Sequence, residues 1–313
     1  MKKIPVLVLA FKRPSNVAKA LAAIKEYKPD RLYLECDGPR ESKPGEREDV
    51  EATRKIMMDS VDWQCEVKTL FRERNLGCAQ AVYEAISWFF ENEEYGVVVE
   101  EDMVIGLDFF RLCEELLPRY ERKDQLMSIQ CINWNNRIIS NYSYVYSWQG
   151  GCNGWATWRR SWAKMDMSMS ALPSLSYLKI IRKYGLLPGL ELMRNYWAGY
   201  KHLESFSSWA YRWSLSMQAN DGISIVPCIN LGKDIGCSDG THYGEYDDDP
   251  FKDLIIGNLE WPLIYNDTFK IDKKLSRLSR QRFYRNLVSR IKKKLRIIFR
   301  IKKNNYGIQN SSF

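Results

Sequence analysis

Residues 97–110 read VVVEEDMVIGLDFF: three valines run straight into three acids, Glu100, Glu101 and Asp102, and a fourth acid, Asp108, follows inside an apolar stretch. A carboxylate at the end of a buried strand is costly unless it is solvated, paired or bound to a cation. Three in succession also repel one another. A divalent cation relieves that repulsion. Carboxylate oxygens suit Mg²⁺ or Mn²⁺, and one or two of them suffice when phosphate and water complete the shell. The pattern points to a metal–diphosphate site; the alternative is an acidic loop facing water. The buried strand before the acids and the LDFF after them favour the metal.

Such a site needs elements that bring other groups to the same place. Residues 4–11 predict a strand buried on both faces. Residues 15–27 predict a helix with Val17, Leu21 and Ile24 on one face and Ser15 as its N-cap. A second strand is expected over 31–36, stopped by Asp37-Gly38-Pro39. Helices are expected over 46–60 and 77–91, with strands over 65–71 and 96–100. Strict alternation of strand and helix implies a mostly parallel sheet covered on both faces. Ligands then bind beyond the carboxyl ends of the strands. Phe11-Lys12-Arg13, Asp37-Gly38-Pro39-Arg40, residues 72–77 and the acidic triplet should gather on that edge. Further along, 107–122 reads as a helix, 127–147 as strand-like, and 150–162 as Gly- and Trp-rich. Residues 174–218 read as largely helical with a break near Pro188-Gly189, 222–227 as a strand and 230–250 as a Gly/Asp-rich loop. No internal repeat is visible.

The chain is 313 residues long and 45% hydrophobic, enough for a sizeable core. Its 11 Trp and 18 Tyr supply flat, amphipathic surface suited to a ligand groove or to an aromatic-rich core. Eight Cys form no CxxC pair and only His202 and His242 are present, which argues against a Cys/His zinc site and for reduced thiols in the cytoplasm. The first apolar run ends in Lys12-Arg13-Pro14 without a small-residue cleavage site, so it reads as a strand and not a secretion signal. No apolar run is long enough to cross a membrane.

These residues also carry a family resemblance. VVVEEDMVIGLDFF resembles the metal-binding segment of GT-A-type nucleotide-sugar glycosyltransferases, in particular the N-acetylglucosaminyltransferase I family and its bacterial relatives. PVLVLAFKRPSNVAKAL is similar to that family's first strand and helix, and YLECDGPR to its second strand and nucleotide-contact turn. FRERNLGCAQAVYEAISWFFENEEYGVVVEED is similar to the approach to the metal. GWATWRRSW, SWAYRWSLSMQANDGISIVP and NLGKDIGCSDGTHY resemble later motifs of the bacterial branch. Together they span about residues 4–245.

The resemblance implies a GT-A, Rossmann-like α/β fold over 1–268, with a nucleotide-sugar-binding half (1–106) and an acceptor-binding half (107–268). It implies a nucleoside-diphosphate sugar donor, foremost a UDP-sugar, and a glycan or lipid-linked acceptor in bacterial surface polysaccharide assembly. Mn²⁺ or Mg²⁺ would be held by Asp102, with His242 completing the shell. Glu100 and Glu101 would accept from ribose and sugar hydroxyls, and Asp37 from the imide N–H of uracil. Phe11 and Arg13 would flank base and phosphates, while Arg74, Asn75 and Gly77 would sit near the pyrophosphate at a helix N-terminus. Trp155, Trp209 and Tyr211 would stack on acceptor sugars. The family inverts the anomeric centre and carries its general base as an Asp in a Trp-Asp segment. Here that position, in SSWAYRW, is Ala210. Glu204 or Asp239 then supplies the base, or the chain has lost activity, or the alanine replaces an acid and traps substrate.

The net charge of +8 is uneven: residues 270–303 hold 15 Lys and Arg against one acid, a local +14, so the remainder carries −6. Over 283–301, Phe283, Leu287, Val288, Ile291, Leu295, Ile298 and Phe299 recur at helical spacing among basic residues. A basic amphipathic helix in the tail, 269–313, fits an anionic membrane surface on the cytoplasmic face, with a helix packed on the body as the alternative. Aromatics are too few there for nucleic acid. Two rivals remain. A nucleotidyltransferase would also use acids and a metal, but no Gly-rich, Lys-bearing triphosphate loop follows the first strand. A decayed nucleotide-sugar- or glycan-binding protein is the other.

Overall fold

The computed structural model describes residues 3–138, 140–236 and 253–288. Chain order is β1 (Val6–Ala10), α1 (Pro14–Tyr27), β2 (Arg31–Cys36), α2 (Glu46–Asp59), β3 (Glu66–Phe71), α3 (Cys78–Asn92), β4 (Tyr95–Glu100), β5 (Met103–Ile105) and α4 (Leu107–Arg119). Then come β6 (Leu126–Gln130), β7 (Tyr144–Ser147), β8 (Trp155–Trp158), α5 (Arg159–Trp162), α6 (Tyr177–Tyr184), α7 (Leu186–Lys201), α8 (Trp209–Ala219), β9 (Ile223–Pro227) and β10 (Gly232–Asp234). A last helix runs over 273–288.

Eight strands form one sheet in the order β3-β2-β1-β4-β8-β6-β9-β7. The first four are parallel, β8 and β7 run against their neighbours, and β6 and β9 pair in parallel. This is the mostly parallel, helix-flanked α/β sheet expected from the alternation. Side-chain alternation splits its core in two. Val6, Val8, Val97 and Val99 face α1, α2 and α4, whereas Leu7, Leu9 and Val98 face α3 and α8. β1 and β4 are apolar on both sides because both sides are covered.

Three expectations need correction. Ser15 is not an N-cap: Pro14 takes the first helical position, where its fixed φ and missing N–H cost nothing, and Arg13 precedes it without a side-chain cap bond. The helical break falls at Gly185, not at Pro188-Gly189. Gly185 sits at φ +97, a conformation L side chains avoid, while Pro188 is absorbed in the first turn of α7. The short ladder of β5 with β10 was not expected, since three-residue strands leave little pattern to read.

Candidate functional site

The carboxyl ends of β1, β2, β3 and β4 do gather the four predicted clusters. Asp102 follows β4 and turns the chain into β5. Its backbone carbonyl accepts from Ile235 N–H across 2.8 Å, and β10 brings Asp234 beside Met103. Asp234 accepts from Asn153 Nδ2 at 3.0 Å and from Gly236 N–H at 2.9 Å. Glu100, Glu101, Asp102 and Asp234 thus form one acidic edge.

Arg13 answers it. Its Nη1 lies 2.9 Å from Asp102 Oδ2 and its Nε lies 3.7 Å from Glu101 Oε1. Glu101 is buried and accepts the Phe11 N–H at 2.8 Å, so it stitches β4 to the loop after β1. Burial pushes its carboxyl above the usual range, against the pull of that N–H and of Arg13. Glu100 has no hydrogen-bond partner among the described residues. Burial first, then the charges of Asp102, Asp234 and Glu101, push it up to about 8. Among the described residues, Arg13 is the cation placed against Glu101 and Asp102.

Asp108, the fourth acid of the opening stretch, does different work. It is buried in the first turn of α4, accepts Leu259 N–H at 2.7 Å and Trp261 Nε1 at 3.3 Å, and so ties the 259–261 segment to the body.

Asp37, expected at a uracil, is engaged internally. Its Oδ1 accepts from Gly38 N at 2.8 Å and Leu76 N at 3.0 Å; its Oδ2 accepts from Asn75 Nδ2 at 2.9 Å and Gly77 N at 3.2 Å. An imide N–H would find those lone pairs taken. Asp37 is itself the anion at the turn into α3, and the Asn75 amide that it holds also reaches Gly38 O at 2.9 Å. Gly77 stands at φ +79 as the residue before the helix. Arg74 is exposed, without an ion pair among the described residues. Its backbone packs so closely on Gly38 that a Cβ there would lie 2.4 Å from it.

Phe11 is half-buried, with Lys12 Nζ at 5.5 Å and the Arg40 guanidinium at 5.7 Å from its ring centre. Both cations converge on buried Glu46: Lys12 Nζ at 2.7 Å, Arg40 Nε at 2.8 Å and Arg40 N–H at 2.9 Å. Arg40 first, then Lys12, hold Glu46 well below the usual carboxylate range, although burial opposes them. Beyond Asp37 a cavity of about 1050 Å³ opens between α2, the end of β3 and α3, lined by Arg47, Arg54, Arg72 and Arg74 among acids. It lies beside the acidic edge and shares none of its four carboxylates.

The aromatic expectation also changes. Trp155 is 0% and Trp209 3% exposed. Their rings stack on each other at 5.8 Å, and Trp162 and Trp213 complete the cluster. Close packing between sheet and α8 leaves neither ring a face for an acceptor. Tyr211 is only half-buried, its hydroxyl accepting from Asn195 Nδ2 at 3.0 Å. Ala210 follows Trp209 at the start of α8, whose N-cap is Ser208, and is half-buried against the Trp cluster. Glu204 is exposed in the turn before it and makes no hydrogen bond or ion pair among the described residues. Asp239 and His242 lie outside the described residues, as does the tail from 289 onward.

Among the described residues no three His, Cys, Asp or Glu side chains are grouped to hold a metal ion. The described edge still fits a metal that takes one or two carboxylates and draws the rest of its shell from phosphate and water. Asp102 and Asp234 are the carboxylates that would hold it. Sequence reasoning placed Lys12 and Arg40 at the strand ends without giving them a role, and missed Asp234 and Glu46. Asp234 had a signal, the acid in GKDIG, but only pairing with β5 brings it to Asp102.

No protein-family model and no curated protein matches the chain. Solved structures similar to it include HddC from Yersinia pseudotuberculosis, at 12% identity over 50% of this chain and 77% of that one, TM-score 0.33. Another is UDP-glucose pyrophosphorylase complexed with UDP-glucose, at 11% identity over 75% of this chain and 94% of that one, TM-score 0.38. Likeness at this level carries no argument about activity.

Proposed function

We propose that the protein is a metal-dependent glycosyltransferase that moves a sugar from a nucleoside-diphosphate sugar, foremost a UDP-sugar, to a glycan or lipid-linked acceptor. The observation that carries the reading is the acidic edge: Glu100, Glu101, Asp102 and Asp234 gather at the carboxyl end of a parallel sheet, with Arg13 against Asp102 and Glu101. A diphosphate bridged by a divalent cation matches that charge pattern. Asp102 would hold Mn²⁺ or Mg²⁺, which supplies Lewis-acid stabilisation of the leaving diphosphate.

The chain's own groups do the rest. Phe11, flanked by Lys12 and Arg40, offers a ring for a base to stack on and positive charge for phosphate. Arg13 exchanges Asp102 for a phosphate oxygen when the donor enters. Glu100, without a partner, accepts from a donor hydroxyl. Displacement also needs a base for the acceptor hydroxyl. Ala210 supplies none, and Glu204 or Asp239 is left to do it. The tail 269–313 would rest on an anionic membrane on the cytoplasmic face, where a lipid-linked acceptor is found.

Ala210 favours a second reading, a protein that binds nucleotide sugar without transferring it. One experiment separates the two. A panel of nucleotide sugars is screened by thermal shift with and without Mn²⁺, then the stabilising donor is assayed for transfer with wild type, Ala210→Asp and Asp102→Asn. Metal-dependent stabilisation lost in Asp102→Asn supports the donor site. Transfer by wild type supports the enzyme, and transfer only by Ala210→Asp supports a lost base. No stabilisation by any donor refutes both readings.

A further inference from the structure

Eleven large hydrophobic side chains are exposed among the described residues, and five of them fall within residues 177–190: Tyr177, Leu178, Leu186, Leu187 and Leu190. Leu178 is 67% and Leu186 57% exposed. They mark the corner where α6 meets α7. The inward faces of the two helices are already satisfied, with Ile180, Tyr184, Met193 and Tyr196 in a common core. The leucines are thus surplus to folding, and several exposed apolar side chains at one helix corner mark an interaction surface.

Its surroundings are cationic. The 273–288 helix lies against the corner: a Cβ on Gly185 would stand 2.9 Å from Arg280 Cδ. That helix holds six Lys and Arg and no acid, and exposes Tyr284 and Val288. In α6, Lys179 and Lys183 are committed to Asp221, at 2.7 and 3.1 Å. Arg182, Arg194, Arg277, Arg280 and Arg285 make no ion pair among the described residues and remain available.

We propose that the α6–α7 corner, with its exposed leucines and the basic 273–288 helix beside it, docks the protein on an anionic lipid bilayer. Leucines enter the acyl boundary while unpaired arginines meet headgroup phosphates. Charge argues against a second copy of the chain as the occupant, because self-association would bring two cationic rims together. The docking also has a geometric consequence. α7 is 16 residues long, roughly 24 Å at about 1.5 Å per residue. It runs from the leucine corner toward the turn carrying Glu204 and the start of α8. The bilayer would therefore lie about one helix length from the candidate acceptor side. This surface is separate from the tail beyond 288, and it stands whether or not the protein transfers sugar.

The test is flotation of the full-length protein with phosphatidylcholine vesicles, with and without phosphatidylglycerol. Wild type should float with the anionic vesicles and weaken with added salt. Leu186→Ser/Leu187→Ser should lower the bound fraction at least about tenfold, and Arg277→Gln/Arg280→Gln should also weaken it. Leu178→Ser is a milder second variant, and circular dichroism checks folding of each. No flotation of wild type overturns the proposal, as does unchanged binding by a folded double-leucine variant. Complete loss on deleting 289–313 also overturns it. If the leucine variants instead turn a dimer into a monomer by light scattering, the patch is a self-interface and the proposal falls.

Discussion

Arg13 stands against two carboxyl groups of the acidic edge, Glu101 and Asp102. Its 2.9 Å contact with Asp102 competes with any other cation that approaches that carboxylate. A close charge pair near a protein surface interacts by a few kcal/mol at an effective dielectric of about 20, and side-chain motion and solvent reduce that. Arg13→Gln should therefore tighten Mn²⁺ binding by about tenfold, or about 1.4 kcal/mol, read from the free Mn²⁺ signal in electron paramagnetic resonance. The same variant should weaken donor binding, since its phosphate contact is gone. Unaltered Mn²⁺ affinity would show that Arg13 does not guard Asp102. Asp102 and Arg13 were legible in the sequence as strand-end residues, but their pairing was not. A run of residues shows which charges reach the strand ends, and only the fold shows which of them meet.

Asp37 shows the same limit for an element. Its carboxylate takes N–H groups from Gly38, Leu76 and Gly77 and so ties the end of β2 to the turn from β3 into α3. Asp37→Ala would leave these buried donors unmatched at about 1–3 kcal/mol for each fully buried one. Water entry at the rim would hold the total on the order of 3 kcal/mol, measurable as a lower urea midpoint with an unchanged slope. Gly38→Ala should cost about 1–3 kcal/mol for a different reason, because its Cβ would strike the backbone of Arg74. If either variant matched wild type, the clamp would not hold the turn. The strand and helix pattern of residues 4–100 was readable because both sheet faces are covered and the apolar runs are long. The second half was harder. β8 enters the sheet antiparallel between β4 and β6, and its Trp155 reads equally well as a groove or a core residue. Trp209 reads the same way until α8 is packed on the sheet.

Among the described residues, two sets of carboxylates are displaced in opposite directions. At the sheet edge, burial raises Glu35, Asp37, Glu100 and Glu101, with like charge adding to it at Glu35, Glu100 and Glu101. Where elements are tied together on the flanks, cations outweigh burial. Glu46 is lowered by Arg40 and Lys12, and Asp221 by Lys179 and Lys183. The two sets act oppositely on stability. A lowered group contributes stability that is complete above its unfolded value, about 4.3 for Glu, and is lost as pH falls toward the folded value. Glu46→Gln should thus cost about 1–2 kcal/mol at neutral pH; Arg40 and Lys12 are 43% and 37% exposed, so solvent screens part of the pairing. Below pH of about 4 the gap between variant and wild type should narrow progressively, because wild type then loses the same contribution as pH falls toward the folded value. Thermal unfolding of both proteins from pH 3 to 7 checks this. A gap that stays constant across the range would mean that Glu46 acts through packing alone and that the Lys12–Arg40 flank around Phe11 is not held by its charge.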